Sequence, residues 1–394
     1  MLHSYTFKNF LSFKDTTEVL FRLTKHAPES HLSAECQTGQ RLTKAIAVIG
    51  PNGSGKTNLL KPLAFLDWFI STSFQSDPKA KIPVESHFFG EGAASEFSVE
   101  FDRDDKLWRY ELVVTPERVL SESLHVKTSH LFSYVFIREW VGDSQSYRIK
   151  QQNFGFNLRE AEKVRENASL ISTAAQYQVP LASRFTSMNF ATNVNYAGRR
   201  HFNNDEVLVA ARYFSDNEIA RERMSSLLSA WDFGLSDVRV KLLDVPNEKG
   251  EVQKVPLPFG VHRHGARETE LLLFRESSGT QSAFVLLSRL LPVLASGGLA
   301  VIDEFEADLH PHMLMPILDL FFSPETNPNN AQIIFTSHSV EVLNLLHKSQ
   351  VMLVQKDETC SSEAWRLDSV QGVRNDDNLY AKYMAGAYGA IPNV

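Results

Sequence analysis

Two short apolar runs stand out along the chain, Ala45–Ile49 and Leu299–Ile302, each bounded by polar, charged or glycine residues, and a third covers 333–335. Such unbroken runs predict strands buried on both faces, as in a parallel sheet. Leu59, Leu60 and Leu63 follow the first run at helical spacing and predict a helix opening near Lys56. Residues 283–294 are apolar enough for a buried helix. A different pattern fills 95–101 and 108–114, where apolar and polar residues alternate around Asp102-Arg103-Asp104-Asp105. This predicts a β-hairpin, and 120–126 and 134–137 predict further strands. Between 157 and 234 the spacing turns helical, with Leu208, Ala211, Phe214, Met224, Leu227, Leu228 and Trp231 as apolar points. No heptad is sustained there, so a compact helical arm is expected rather than a long coiled coil. No apolar run has the length of a membrane span. The opening residues show no basic stretch followed by an apolar core, so neither membrane nor leader is expected.

The junction between the first run and its helix carries the sharpest chemistry. Gly50-Pro51-Asn52-Gly53-Ser54-Gly55-Lys56-Thr57 fits G-x-x-x-x-G-K-[ST] at every position. Glycines let successive backbone N–H groups turn around phosphate oxygens. The positive end of the following helix faces the same anion. Asn52, Gly53, Ser54, Gly55, Lys56, Thr57 and Asn58 are therefore the expected nucleotide-binding residues. Lys56 is expected at the β- and γ-phosphates, and the Thr57 hydroxyl on magnesium.

The second run ends in two adjacent carboxylates, Asp303 and Glu304. Asp303 is expected to hold magnesium and Glu304 to polarise the attacking water. Many strands end in acids, so the pair gains its meaning from the phosphate loop. Upstream, Glu276-Ser277-Ser278-Gly279-Thr280-Gln281 opens the 283–294 helix. A Ser-Gly pair there is either an ordinary N-cap or an anion site. The third run ends in Thr336-Ser337-His338-Ser339.

Composition narrows the setting. With 394 residues the chain has room for one large domain with insertions, or for two. Forty basic against 47 acidic residues give −7, so no whole-chain basic footprint for nucleic acid exists. Cys36 and Cys360 cannot build a disulfide framework, and the sequence around each shows no metal-ligand cluster. A reducing, cytoplasmic setting is the expectation.

In this order, the four motifs resemble those of ABC-type ATPases. Ser278 and Gly279 match the signature serine and first glycine, Thr280 stands where a second glycine is usual, and Gln281 matches the glutamine. The resemblance implies that Ser278 and Gly279 contact the γ-phosphate held by an opposing protomer. It implies that His338 is the switch histidine reaching the γ-phosphate. Asp308 takes the place of the aspartate in the loop after the acidic pair, and Gln75 is the nearest match to the glutamine that couples magnesium to the arm. The opening stretch 5–14 resembles the first strand of SMC-like heads.

Taken together, the chain resembles prokaryotic ATPases often placed in the AAA family but built like ABC heads. Among these are the ATPase subunits of the anti-phage modules Septu and PARIS, RloA-type proteins and the OLD family, and the tail 376–392 resembles RloA-like members. The resemblance implies an α/β P-loop NTPase of ABC type with a helical arm insertion. The divisions would be lobe I with a β-subdomain over 1–155, the arm over 156–235, and lobe II with its tail over 236–394. ATP and Mg²⁺ are the implied cofactors. Implied partners are further copies of the chain, in a homodimer or higher homo-oligomer through ATP-sandwiched heads, a separate effector (nuclease or toxin), and a DNA or phage-derived trigger. OLD nucleases carry a TOPRIM domain after the ATPase, but only 56 residues follow His338, without Asp-x-Asp, so the chain is not expected to cut DNA.

Three functions remain open on the sequence. The first is an ATP-driven switch governing an effector. The second is a DNA-clamping ATPase of repair or recombination, for which Arg199-Arg200-His201 and Arg263-His264 with Arg267 would supply a basic channel. The third is an ATP-binding scaffold that holds a toxin inactive.

Overall fold

Ala45, Ala47 and Ile49 face one hydrophobic core, and Ile46 and Val48 face another. The run is thus buried on both sides, as its unbroken apolarity requires. It lies inside a six-stranded sheet. The spatial order is Phe190–Thr192, Leu299–Ile302, Gln332–Thr336, Ala45–Ile49, Val351–Lys356 and Ser362–Arg366. The first five strands are parallel, and the last is antiparallel to its neighbour. This computed structural model describes residues 1–392 except 26, 37, 91, 201, 232, 247–250 and 308.

One face of the sheet packs on the helix Lys56–Thr72 and on a seven-stranded antiparallel sheet. That sheet runs Ser146–Gln151, Phe132–Val141, Val119–Lys127, Lys106–Val114, Ser95–Arg103, Leu2–Lys8 and Thr17–Leu20. The expected hairpin is present, in register from Ser95 opposite Val114 to Arg103 opposite Lys106. Its two-residue turn puts Asp104 and Asp105 at φ +49° and +62°, matching the twist of a tight hairpin. Buried Gln332 ties the two sheets together: it accepts from Leu2 N–H at 2.6 Å and donates to the carbonyls of Leu2 and Thr43, each at 3.0 Å.

The opposite face packs on the helices Ser278–Ser296 and Leu314–Phe322. A three-stranded antiparallel sheet, Asp237–Pro246, Val252–His264 and Arg267–Leu272, leads into the first of these. The architecture is the α/β, phosphate-loop layout expected from the sequence.

The stretch 156–235 holds the expected helices together with one strand. The strand, Phe190–Thr192, divides them and joins the central sheet beside Leu299–Ile302. Leu170–Gln176 and Pro180–Thr186 pack into the first core, and Asn204–Asp216 and Glu218–Ala230 into the second. The stretch is shared between both cores. No helix among the described residues is long and apolar enough to cross a membrane.

Candidate nucleotide site

Three adjacent parallel strands deliver their chemistry to one rim of the sheet, where ligands of open α/β sheets bind. Ala45–Ile49 feeds the phosphate loop, Leu299–Ile302 feeds Asp303 and Glu304, and Gln332–Thr336 feeds His338. They surround a cavity of about 630 Å³ lined by Asn52, Gly53, Gly55, Lys56, Thr57, Asn58, Asp303, Glu304, Thr336 and His338. Residues up to 286 positions apart thus meet as the motif order implied.

The phosphate loop is braced from outside. Gly55 sits at φ +110°, and a Cβ there would lie 2.3 Å from Ser362 Oγ and 3.0 Å from Ser12 Oγ, so only glycine fits. Ser362 Oγ donates to the Ser54 carbonyl at 2.6 Å, and Asn58 Nδ2 donates to Ser12 Oγ at 2.9 Å. Lys56 Nζ donates to the carbonyls of Gly50 and Pro51 at 2.9 and 3.0 Å. Burial draws its ammonium below the usual lysine range, while Asp303, Glu304 and Glu306 pull the other way. Ser54 is buried, does not line the cavity, and its N–H bonds to the Pro51 carbonyl at 3.2 Å.

Asp303 is held on every side. Its Oδ2 accepts from the Thr57 hydroxyl at 2.8 Å and its Oδ1 from Thr336 Oγ1 at 2.6 Å. Asn193, in the loop after Phe190–Thr192, clamps its backbone: Nδ2 donates to the Asp303 carbonyl at 2.9 Å, and Oδ1 accepts from its N–H at 2.7 Å. Thr57 and Asp303 present hard oxygen donors close together, the donor set that suits Mg²⁺. Glu304 adopts φ +49°, a left-handed conformation rare for such a residue, and its N–H donates to Thr336 Oγ1 at 2.7 Å. His338 Nε2 lies 3.6 Å from Glu304 Oε1. The other oxygen of Glu304 is ion-paired with Arg199. Asn193, Thr336 and Arg199 were given no role in the phosphate site by the sequence motifs. Only their spacing from strand ends, seen after folding, reveals them.

Ser278 and Gly279 stand apart from this cavity, at the start of the helix Ser278–Ser296. Ser278 is exposed and Gly279 half-exposed. The N-cap is Ser277, whose side chain accepts from Thr280 N–H at 3.1 Å. Thr280, at the usual second-glycine position, is buried with its hydroxyl 2.8 Å from Ser277 Oγ. Gln75 lies just beyond the far end of the 17-residue helix that begins at Lys56. That places it roughly 25 Å from the phosphate loop at 1.5 Å per residue, out of reach of the site. Asp308 and His201 lie outside the described residues.

One expectation about the cysteines needs correcting. Folding brings Cys36 beside His3 and Asp102, with one potential ligand atom of each within 4.8 Å of the others. Local sequence could not show this, because the three residues sit on separate strands and loops. Arg22 Nε stands 3.5 Å from His3 Nδ1, and a guanidinium there opposes a bound cation.

Fold and site together define an ATP-binding P-loop protein of ABC-like build. The chain belongs to the family described as "AAA domain, putative AbiEii toxin, Type IV TA system", which matches residues 45–344. A 69-residue stretch is 32% identical to the cytochrome c biogenesis ATP-binding export protein CcmA of Nitrobacter hamburgensis, covering 17% of this chain and 34% of that protein. Among solved structures, an Smc head bound to the C-winged helix domain of ScpA shares 12% identity, with 94% of this chain and 99% of that one covered and a TM-score of 0.49. The SMC head domain from Thermotoga maritima shares 12% identity over 93% and 98%, with a TM-score of 0.44. The Smc head domain bound to the C-terminal domain of ScpA from Pyrococcus furiosus shares 11% over 93% and 97%, also at 0.44.

Proposed function

We propose that this chain is an ATP-hydrolysing switch whose site is completed by a second copy, and that its state governs a separate effector, a nuclease or a toxin, in anti-phage defence. The observation that carries the ATPase reading is the single cavity shared by Lys56, Thr57, Asp303, Glu304 and His338. Lys56 would supply charge to the phosphates, and Thr57 and Asp303 would hold Mg²⁺, which neutralises phosphate charge when bound. Glu304 would take the proton of the attacking water as its oxygen bonds to the γ-phosphorus, with ADP leaving. His338 would contact the γ-phosphate.

The position of Ser278 and Gly279 supports the dimer. They are accessible at a helix N-terminus but do not line their own chain's cavity. Their N–H groups and hydroxyl suit the γ-phosphate of a partner's nucleotide. Effector control and the phage-related trigger rest on the resemblance to defence-module ATPases and on the toxin–antitoxin wording of the family description. The DNA-clamp alternative gains little support, since Arg199 is ion-paired with Glu304 and Arg263 with Glu268.

Lys56→Ala should lose ATP binding, and Glu304→Gln should keep binding while turnover stops. Ser278→Arg should lose turnover with single-head binding intact. Mixing Lys56→Ala with Ser278→Arg protein leaves one intact composite site per mixed dimer, so part of the Mg²⁺-ATPase should return. Undiminished hydrolysis by Glu304→Gln protein would overturn the assignment of the base. Zero activity in proven mixed dimers would count against the composite site.

A further inference from the structure

Both carboxylate oxygens of Glu304 have partners: Arg199 holds Oε2, and His338 Nε2 stands 3.6 Å from Oε1. A base so engaged is poorly placed to activate water. Arg199 is held in register with it. It closes a tight hairpin in which Val194 bridges to Arg199, and Asn195 and Gly198 exchange backbone hydrogen bonds of 2.9 and 3.2 Å. Arg200 N–H donates to the Asn193 carbonyl at 2.7 Å, and Asn193 clamps Asp303. The hairpin and the acidic strand are therefore joined within two residues of the guanidinium.

The Arg199 side chain is only 17% exposed, and its Nε is buried without a hydrogen-bond partner, which leaves donor capacity unused. It lines a pocket with Arg200, Arg289 and Glu304. Arg289 is paired with Glu206, so Glu304 is the carboxylate that offsets Arg199. Glu304 also lines the phosphate cavity. One carboxylate thus stands between a half-buried guanidinium and the place where a γ-phosphate would lie.

Resting on the nucleotide-site reading above, we propose that Arg199 is an exchangeable counter-ion. It pairs with Glu304 until ATP binds and then passes to the γ-phosphate, which frees Glu304 for the attacking water. A terminal phosphate carries more charge than a carboxylate, and its oxygens suit the guanidinium fork. ADP offers no such group, so with ADP the pair with Glu304 persists. The base is released only by the nucleotide it is to hydrolyse.

Titration calorimetry in the Glu304→Gln background, where turnover is stopped, tests this with ATP and ADP as probes in the presence of Mg²⁺. Adding Arg199→Ala should weaken ATP binding by about tenfold to hundredfold, the range of a charge-assisted hydrogen bond, and leave ADP within about twofold. Arg199→Lys should recover part of the loss. Unchanged ATP affinity would overturn the proposal, because Arg199 would then serve Glu304 alone. An equal loss for ATP and ADP would overturn it too, since it would mark a general structural role. If Lys56→Ala protein bound ATP normally, the underlying nucleotide site would fall and the proposal with it, a result separate from both others.

Discussion

Asn193→Ala isolates the clamp on the acidic strand. The side chain is buried and makes both of its bonds to one residue, to the carbonyl and the N–H of Asp303. Alanine leaves both backbone groups without these partners beside a 2% exposed aspartate. Each unsatisfied buried group costs about 1–3 kcal/mol, so the pair should cost about 2–4 kcal/mol after partial relaxation. With a urea slope near 3 kcal/mol per molar for a chain of this size, the unfolding midpoint should fall by about 1 M. The same change loosens the carboxylate that accepts from Thr57 and Thr336, so Mg²⁺-dependent turnover should fall with it. Asn193→Asp keeps an acceptor for the Asp303 N–H but offers no donor to its carbonyl, and it should be at least as damaging at pH 8. Equilibrium urea unfolding and steady-state phosphate release measure the two effects. An unchanged midpoint together with unchanged turnover would refute the argument that Asn193 positions Asp303.

Two further outcomes are expected. Gly55→Ala forces a Cβ to 2.3 Å from Ser362 Oγ at φ +110°, and the strain of about 1–3 kcal/mol should weaken ATP binding by at least about tenfold; wild-type affinity in calorimetry would refute it. Asp67, on the phosphate-loop helix, lines a cleft of about 430 Å³ among Leu63, Leu66, Ile70 and Phe101, and burial lifts its carboxyl from 3.8 to about 7. The native state then keeps a proton that the unfolded chain has released, so stability falls as pH rises between those two values and levels off above the higher one. Asp67→Asn should remove this fall, and identical pH slopes for variant and wild type in chemical unfolding would contradict it.

What could be read from the sequence was what local chemistry dictates. Ala45–Ile49, the helix from Lys56 and the Leu299–Ile302 strand were legible, because apolar runs and glycine spacing act within a few residues. The strand Phe190–Thr192 was not, since three residues carry no period, and its place depends on pairing with a strand over 100 residues away. Asn193 and Arg199 were hidden for the same reason, as their partners Asp303 and Glu304 are 110 and 105 positions on. Ser54 fits the motif, yet the partner of its backbone carbonyl is Ser362, which lies outside the motif. The helical spacing of 157–234 was read correctly, but spacing does not say which core a helix joins.

The position of Ala45–Ile49 within the central sheet has a consequence for biogenesis. Its two neighbours, Gln332–Thr336 and Val351–Lys356, leave the ribosome roughly 300 residues later, about 15–60 s at ordinary elongation speeds. For that interval an apolar strand without its sheet partners sits in the growing polypeptide, a state open to aggregation and to chaperones. The phosphate loop that the strand carries has no Asp303 or His338 to face until then. A nascent chain would therefore lack the complete cavity until the residues through His338 have emerged.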